Sequence, residues 1–359
     1  SHGLRASQTL MDREPNMPHT HPPRASKNSN TAEYVVVACL FAGLAGALAY
    51  GMYISQPDMP PAPARVGAVP AAAATAARVD ANANAQVTSQ AVKVAADGEA
   101  FTPPGARDIP DTPMGEWIRR GEAIFLRTPA NAVGFSGNTL NCVNCHLDAG
   151  RLKGAAPMWG AYPLYPAYRK KTNHVDTFAE RVRGCFMYSM NGKAPDDGHD
   201  ILVALEAYAY WMAQKAPTGE KLPGAGFTKV GKAAQEPSFE RGAKVYEAKC
   251  ALCHGVQGQG QETGGVTVFP PLWGKQSYNW GAGTHEVDKA ASFIKGNMPY
   301  GNPTLDDQEA WDVATYINSM ERPQDPRFTG NVADTRKQFH DTPFSLYGTE
   351  VNGRLLKGL

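Results

Sequence analysis

Two stretches decide how this chain reads: Cys142-Val-Asn-Cys-His146 and Cys250-Ala-Leu-Cys-His254. Each is a CxxCH, the attachment signature of a c-type haem. Two thiols at this spacing reach the two vinyl groups of one porphyrin as thioethers, and the adjoining histidine lies beneath the iron as proximal ligand. Zinc would use the cysteines but leave His146 and His254 unexplained. A thioredoxin-like redox pair needs a βαβ pattern that surrounds neither motif. The spacing therefore predicts two covalently attached haems c, one on Cys142, Cys145 and His146, the other on Cys250, Cys253 and His254.

Working outward, each motif sits inside one copy of an internal repeat. The first copy opens on a helical segment over 116–126 and passes through the first CxxCH, Pro157-Met-Trp-Gly160 and Arg183-Gly-Cys185 to a helix near 201–212. The second opens at Phe239-Glu-Arg-Gly-Ala-Lys-Val-Tyr246. It continues through the second CxxCH, Pro271-Leu-Trp-Gly274 and Lys295-Gly-Asn-Met298 to a helix near 306–320. Trp311, Ala314, Tyr316 and Ile317 give that last helix its apolar face. Strand signals are weak throughout. The expectation is an all-α fold of two class I cytochrome c-like domains in tandem, 111–223 and 224–325, with a C-terminal tail, 326–359, that carries no readable chemistry.

The sixth iron ligands follow from register. Met298, on a loop between Trp273 and the closing helix, occupies the usual distal position of a class I cytochrome c. The same slot counted from Trp159 falls within one residue of Cys185. Three readings stand beside each other there: an axial Cys185 thiolate, which would lower the potential of that haem; an ordinary His/Met haem through Met187 or Met190; and an inert buried thiol. Arg169, Lys170, Lys171, Arg181, Arg183 and Lys193 crowd this region against Asp176 and Glu180, which marks a local anion site. Arg181 and Arg183 lie closest to Cys185, and Ser189 stands one helical turn beyond it as a hydroxyl donor. Pro157 and Pro271 are expected to supply carbonyls that orient the proximal imidazoles. His174, His199, His285 and His340 read as surface or core residues.

The chain as a whole is electrically balanced, with 35 Lys and Arg against 34 Asp and Glu, which argues against a nucleic-acid partner. Residues 1–31 read as a cytoplasmic tail or a remnant foreign to the fold. The stretch from Tyr34 to Ile54 holds no charge and is long enough to span a bilayer, so 32–55 is read as an inner-membrane anchor with the catalytic body in the periplasm. Ala47-Leu48-Ala49 keeps a cleaved export signal, and a soluble periplasmic product, as the alternative. Residues 56–110 are Ala- and Pro-rich and read as a disordered, flexible linker with a span on the order of 40 Å.

The segments CVNCHLDAGR (142–151), GAAPMWGAYPLYPAYRKK (154–171) and TFAERVRGCFMYSMNGKAP (177–195), with CALCHG and NMPYG in the second copy, resemble the dihaem thiosulfate dehydrogenases. The resemblance runs over about residues 111–322. It implies oxidation of two thiosulfate ions to tetrathionate, with His146 and Cys185 on the catalytic haem of the first domain. His254 and Met298 would then hold the electron-transfer haem of the second, and Arg181 and Ser189 would be active-site residues. Electrons would leave through the second haem to an external acceptor, such as a small cytochrome c or another periplasmic redox carrier. One departure is visible: some members carry an exchangeable lysine before the methionine, where this chain has Asn297. The rival functions are a tetrathionate reductase working in reverse, a membrane-tethered dihaem electron shuttle without catalysis, and a haem sensor.

Overall fold

A computed structural model describes residues 101–359. The proposed tail, membrane segment and all but the end of the linker lie outside the described residues. Among the described residues no helix is long and apolar enough to cross a membrane.

Among the described residues, seven helices of seven residues or more make the frame: α1 (Pro113–Leu126), α2 (Phe178–Gly184), α3 (Asp200–Met212), α4 (Phe239–Lys249), α5 (Val287–Asn297), α6 (Asp307–Asn318) and α7 (Val332–Phe339). The sequence marks their starts. The Thr112 hydroxyl accepts from the Gly115 N–H ahead of Pro113 in α1. Reciprocal capping boxes, Thr177 with Glu180 and Asp306 with Glu309, open α2 and α6. Three short antiparallel hairpins, which the strand signals did not announce, complete the described residues: β1 (Ala167–Arg169) with β2 (His174–Asp176), β3 (Gln261–Thr263) with β4 (Val266–Phe269), and β5 (Glu350–Val351) with β6 (Arg354–Leu355).

The repeat is visible in how its helices cross. In each copy the opening helix meets the closing one at the glycine of the Arg-Gly pair. A Cβ on Gly121 would lie 2.1 Å from the Ala204 carbonyl oxygen of α3, and one on Gly242 2.0 Å from the Asp312 carbonyl oxygen of α6. Only a residue without a side chain lets the two backbones approach that closely. Around the first crossing, Ile118, Ile124 and Phe125 of α1 bury against Leu205, Tyr208, Trp211 and Met212 of α3. Around the second, Tyr246, Ile294, Val313 and Ile317 form a separate core.

Two features depart from the expected layout. Tyr278 and Ala282, in the second stretch by sequence, are buried in the first core. The C-terminal segment is also part of the packed body: Tyr347 and Leu356 are fully buried with Trp280 in a third cluster. Aromatic burial of this kind, with α7 and the last hairpin laid over it, explains why the segment is ordered although its sequence lacks a haem motif.

Candidate active site and haem centres

A cavity lies between α2, α3 and the first CxxCH. Cys142, Cys145, His146 and Cys185 all face it, over an apolar wall that includes Phe125, Phe186 and Leu205. The donor set fits a c-type haem: paired thiols for attachment, an imidazole beside them, and a further sulfur lining the same space. The His146 Nδ1–H donates to the Ala156 carbonyl at 2.7 Å, which leaves Nε2 free for iron. His254 does the same with the Pro270 carbonyl at 2.9 Å. The orienting carbonyls thus belong to the residues before Pro157 and Pro271. Burial pushes His146 down to about 4 and lowers His254 as well, so both rings are neutral, as ligands must be. Burial pushes the Cys142 thiol up to about 12 and those of Cys145 and Cys250 to about 11, consistent with sulfurs that sit uncharged against apolar surroundings.

Cys185 stands where α2 changes its winding. Residues Cys185–Ser189 form a π-helical turn, closed by the Met190 N–H on the Cys185 carbonyl at 2.9 Å. Such turns are rare and recur at functional sites, because the extra residue re-aims a side chain. Arg181, one turn earlier, places Nη1 2.8 Å from the Cys185 Sγ. A guanidinium there suits a sulfur that carries negative charge, and the Cys185 sulfur is the chief cause that raises the Arg181 pKa. Ser189 and Met190 also line the cavity, and Met187 is not among its lining residues.

The widened turn leaves carbonyls without helical partners, and residues far away in sequence take them. Asn279 Nδ2 donates to the Met187 carbonyl at 2.8 Å, the Asn279 N–H to the Tyr188 carbonyl at 3.2 Å, and Asn138 Nδ2 to the Ser189 carbonyl at 2.9 Å. Asn138 also donates to the Ser277 carbonyl, which ties the turn to the 277–282 loop.

The other predicted residues divide. Arg183 does not line the cavity: its guanidinium pairs with Asp197 on the outer face of α2, because two residues of helix turn it away from Arg181. Lys170 and Lys171 are both exposed residues, but the Lys171 ammonium folds back to donate to the Gly281 carbonyl and sits 3.6 Å from the Tyr188 ring centroid. At the second centre, Met298 caps α5 and packs against the second core beside Cys250, Leu272 and Trp273. Asn297 is buried, with Nδ2 donating to the Gly154 carbonyl at 3.2 Å and to the Phe293 carbonyl at 2.8 Å. His199 caps α3 by accepting from the Ile201 N–H, His174 is exposed, and His285 and His340 are buried in the C-terminal packing.

The cytochrome c family model matches residues 239–321, the stretch holding the second CxxCH and Met298. A thiosulfate dehydrogenase from Thiomonas intermedia is 55% identical over 260 residues, covering 72% of this chain and 83% of the relative. Another, from Stutzerimonas stutzeri, is 48% identical over 286 residues, 79% and 93% of the two chains. The chain belongs to the thiosulfate dehydrogenase family. The solved thiosulfate dehydrogenase TsdBA from Marichromatium purpuratum superposes with a TM-score of 0.70 at 47% identity, over 72% of this chain and 58% of that longer one.

For a thiosulfate dehydrogenase the pocket has features that sequence reasoning did not find. Asn138 and Asn279 hold the turn of Cys185, and Arg327 reaches the ring of Tyr188 within it. No local motif marks any of the three. The nearest signal for Arg327 is the Asp325-Pro-Arg327 spacing, which lets the arginine fold back on the carboxylate.

Proposed function

We propose that this oxidoreductase joins two thiosulfate dianions into tetrathionate in the Cys185 pocket, releasing two electrons. Residues 111–223 would act as the catalytic cytochrome c domain and 224–325 as the electron-transfer domain. His146 and Cys185 would hold the first haem, and His254 and Met298 the second. The haems, when bound, supply one-electron acceptors that pass charge to an external carrier. The membrane anchor at 32–55 and the periplasmic setting belong to the same reading.

The chain's own residues have a definite task in this chemistry. Two dianions repel one another strongly, the more so in a pocket walled by Phe125, Phe186 and Leu205, where the dielectric is low. Arg181 supplies the nearest fixed positive charge and orients the Cys185 sulfur at the same time. Ser189 adds a hydroxyl donor on the cavity wall. The apolar wall excludes water, so that these few polar groups act at full strength.

The observation that carries the proposal is the Arg181 guanidinium on a cysteine sulfur that shares one cavity with the proximal His146. Cys185→Ala tests it. With both haems still attached, thiosulfate-dependent reduction of ferricyanide is expected to fall at least about a hundredfold, the scale for loss of a group acting in the transition state. Undiminished turnover would remove Cys185 from the chemistry, and no thiosulfate oxidation by the unaltered protein would leave only the electron shuttle.

A further inference from the structure

The basic residues around Cys185 gain a member from the far end of the chain. The Arg327 guanidinium carbon lies 5.2 Å from the Tyr188 ring centroid, and the Lys171 ammonium 3.6 Å from the same point. Tyr188 belongs to the π turn that carries Cys185 and Ser189. Lys171 is within electrostatic reach of Arg327, Arg181 and Arg169. Four cations therefore gather beside one turn. The carboxylates among them, Asp176 and Asp325, are buried and already engaged with Arg169 and Arg327.

Arg327 is held rigidly. Its Nε and Nη2 donate to the two oxygens of Asp325 at 3.0 and 2.6 Å. Asp325 Oδ2 also meets His340 Nε2 at 3.0 Å, and His340 Nδ1 lies 3.1 Å from both Ser345 Oγ and His285 Nε2. The serine, histidine and aspartate resemble a hydrolytic triad, but Ser345, His340 and Asp325 are each no more than 1% exposed and cannot meet a substrate. What the network does is fix a guanidinium. Arg327 Nη1 takes part in no hydrogen bond among the described residues, and the side chain keeps 19% of its surface exposed. One donor edge of a locked guanidinium is thus open to an anion.

The chemistry calls for such a group. Arg181 is committed to the Cys185 sulfur and to one substrate, while the second dianion brings two further negative charges. We propose, resting on the function above, that Arg327 and Lys171 form an outer anion subsite. It receives the second thiosulfate and afterwards one sulfonate end of tetrathionate. In the coupling the terminal sulfurs of two thiosulfates form one S–S bond and no bond breaks. The two electrons would be taken up by the haems that His146 and His254 are proposed to hold and passed to the external one-electron acceptor, ferricyanide in the test, and no proton moves.

The test is steady-state oxidation of thiosulfate by the haem-loaded full chain, with ferricyanide as acceptor. It compares the unaltered protein with Arg327→Gln, Arg327→Lys and Lys171→Gln. We expect KM to rise about tenfold in each Gln variant. Turnover at saturation should change less than about threefold, haem absorption should be unchanged, and Arg327→Lys should recover part of the loss. A KM within twofold of the original in Lys171→Gln, which breaks no ion pair and leaves Asp325 its partners, overturns the subsite even where Arg327→Gln fails to fold. A fall in turnover at unchanged KM overturns it too. If the unaltered protein does not oxidise thiosulfate, the functional reading fails; if it does and the variants match it, the subsite alone fails.

Discussion

At the residue scale the pocket is governed by a few charges in unequal surroundings. Lys171 is pushed down to about 7, chiefly by burial of its ammonium and then by the cations Arg327, Arg181 and Arg169, with Asp325 the partly compensating anion. Tyr188 and Gly281 hold the ammonium from the other elements, and His285 stands nearby in the same packing. The direction of the effect follows. Below pH 7 Lys171 is charged and attracts a dianion; above it the charge is lost. KM for thiosulfate is therefore expected to rise with pH through about 7 to 8, and Lys171→Arg, which stays charged, should flatten that limb of the profile. Arg181→Lys is not a conservative change either. It loses the planar reach to Cys185 Sγ, and the expected result is a fall in turnover of about tenfold or more with both haems retained, read by the ferricyanide assay.

At the scale of elements, the decisive one is the π turn Cys185–Ser189, and its support comes from outside. Asn279 is fully buried and serves three groups: the Met187 carbonyl, the Asn191 side chain and the Gly281 N–H. Asn279→Ala leaves them unpaired, at a cost of about 1–3 kcal/mol for each buried group that finds no water. The expected outcome is a lower Tm together with a changed absorption spectrum of the haem proposed to face Cys185, measured at unchanged haem content. This is also where sequence reading met its boundary. The CxxCH motifs are legible because thioether attachment needs that local spacing. The helices are legible because Gly121 and Gly242 repeat one crossing. Cys185 was found by register against Trp159. The partners of its turn were not, because Asn138 and Asn279 are single polar residues whose contacts span 51 and 92 positions. Arg183 shows the converse: nearness in sequence to Cys185 says nothing about which face of α2 a side chain occupies.

For the molecule as a whole, the C-terminal segment is the lesson. It reads as a polar tail, yet it seals a network of Asp325, His340, Ser345 and His285. Burial holds His285 well below the ordinary imidazole range, and the His340 and Arg327 contacts hold Asp325 far below the ordinary carboxylate range. Both groups take up protons more readily when unfolded. Stability should therefore fall as pH drops below about 6.5, where an unfolded His285 charges. It should fall again below about 4, with a slope of up to about 1.4 kcal/mol per pH unit for each group. Thermal unfolding followed between pH 7 and 5 checks the first limb; a flat Tm over that range would mean that the segment separates from the body without exposing His285.

The reach of Asn279 and Arg327 into the turn of Cys185 has a consequence for the order in which the protein is built. The first CxxCH is synthesised before residues 279 and 327. Until they arrive, the carbonyls of Met187 and Tyr188 lack the Asn279 donors, the Tyr188 ring lacks its Arg327 contact, and the turn of Cys185 lacks its scaffold. The turn of Cys185, proposed as the catalytic one, is thus fully supported only after the stretch matched by the cytochrome c model, 239–321, has been synthesised.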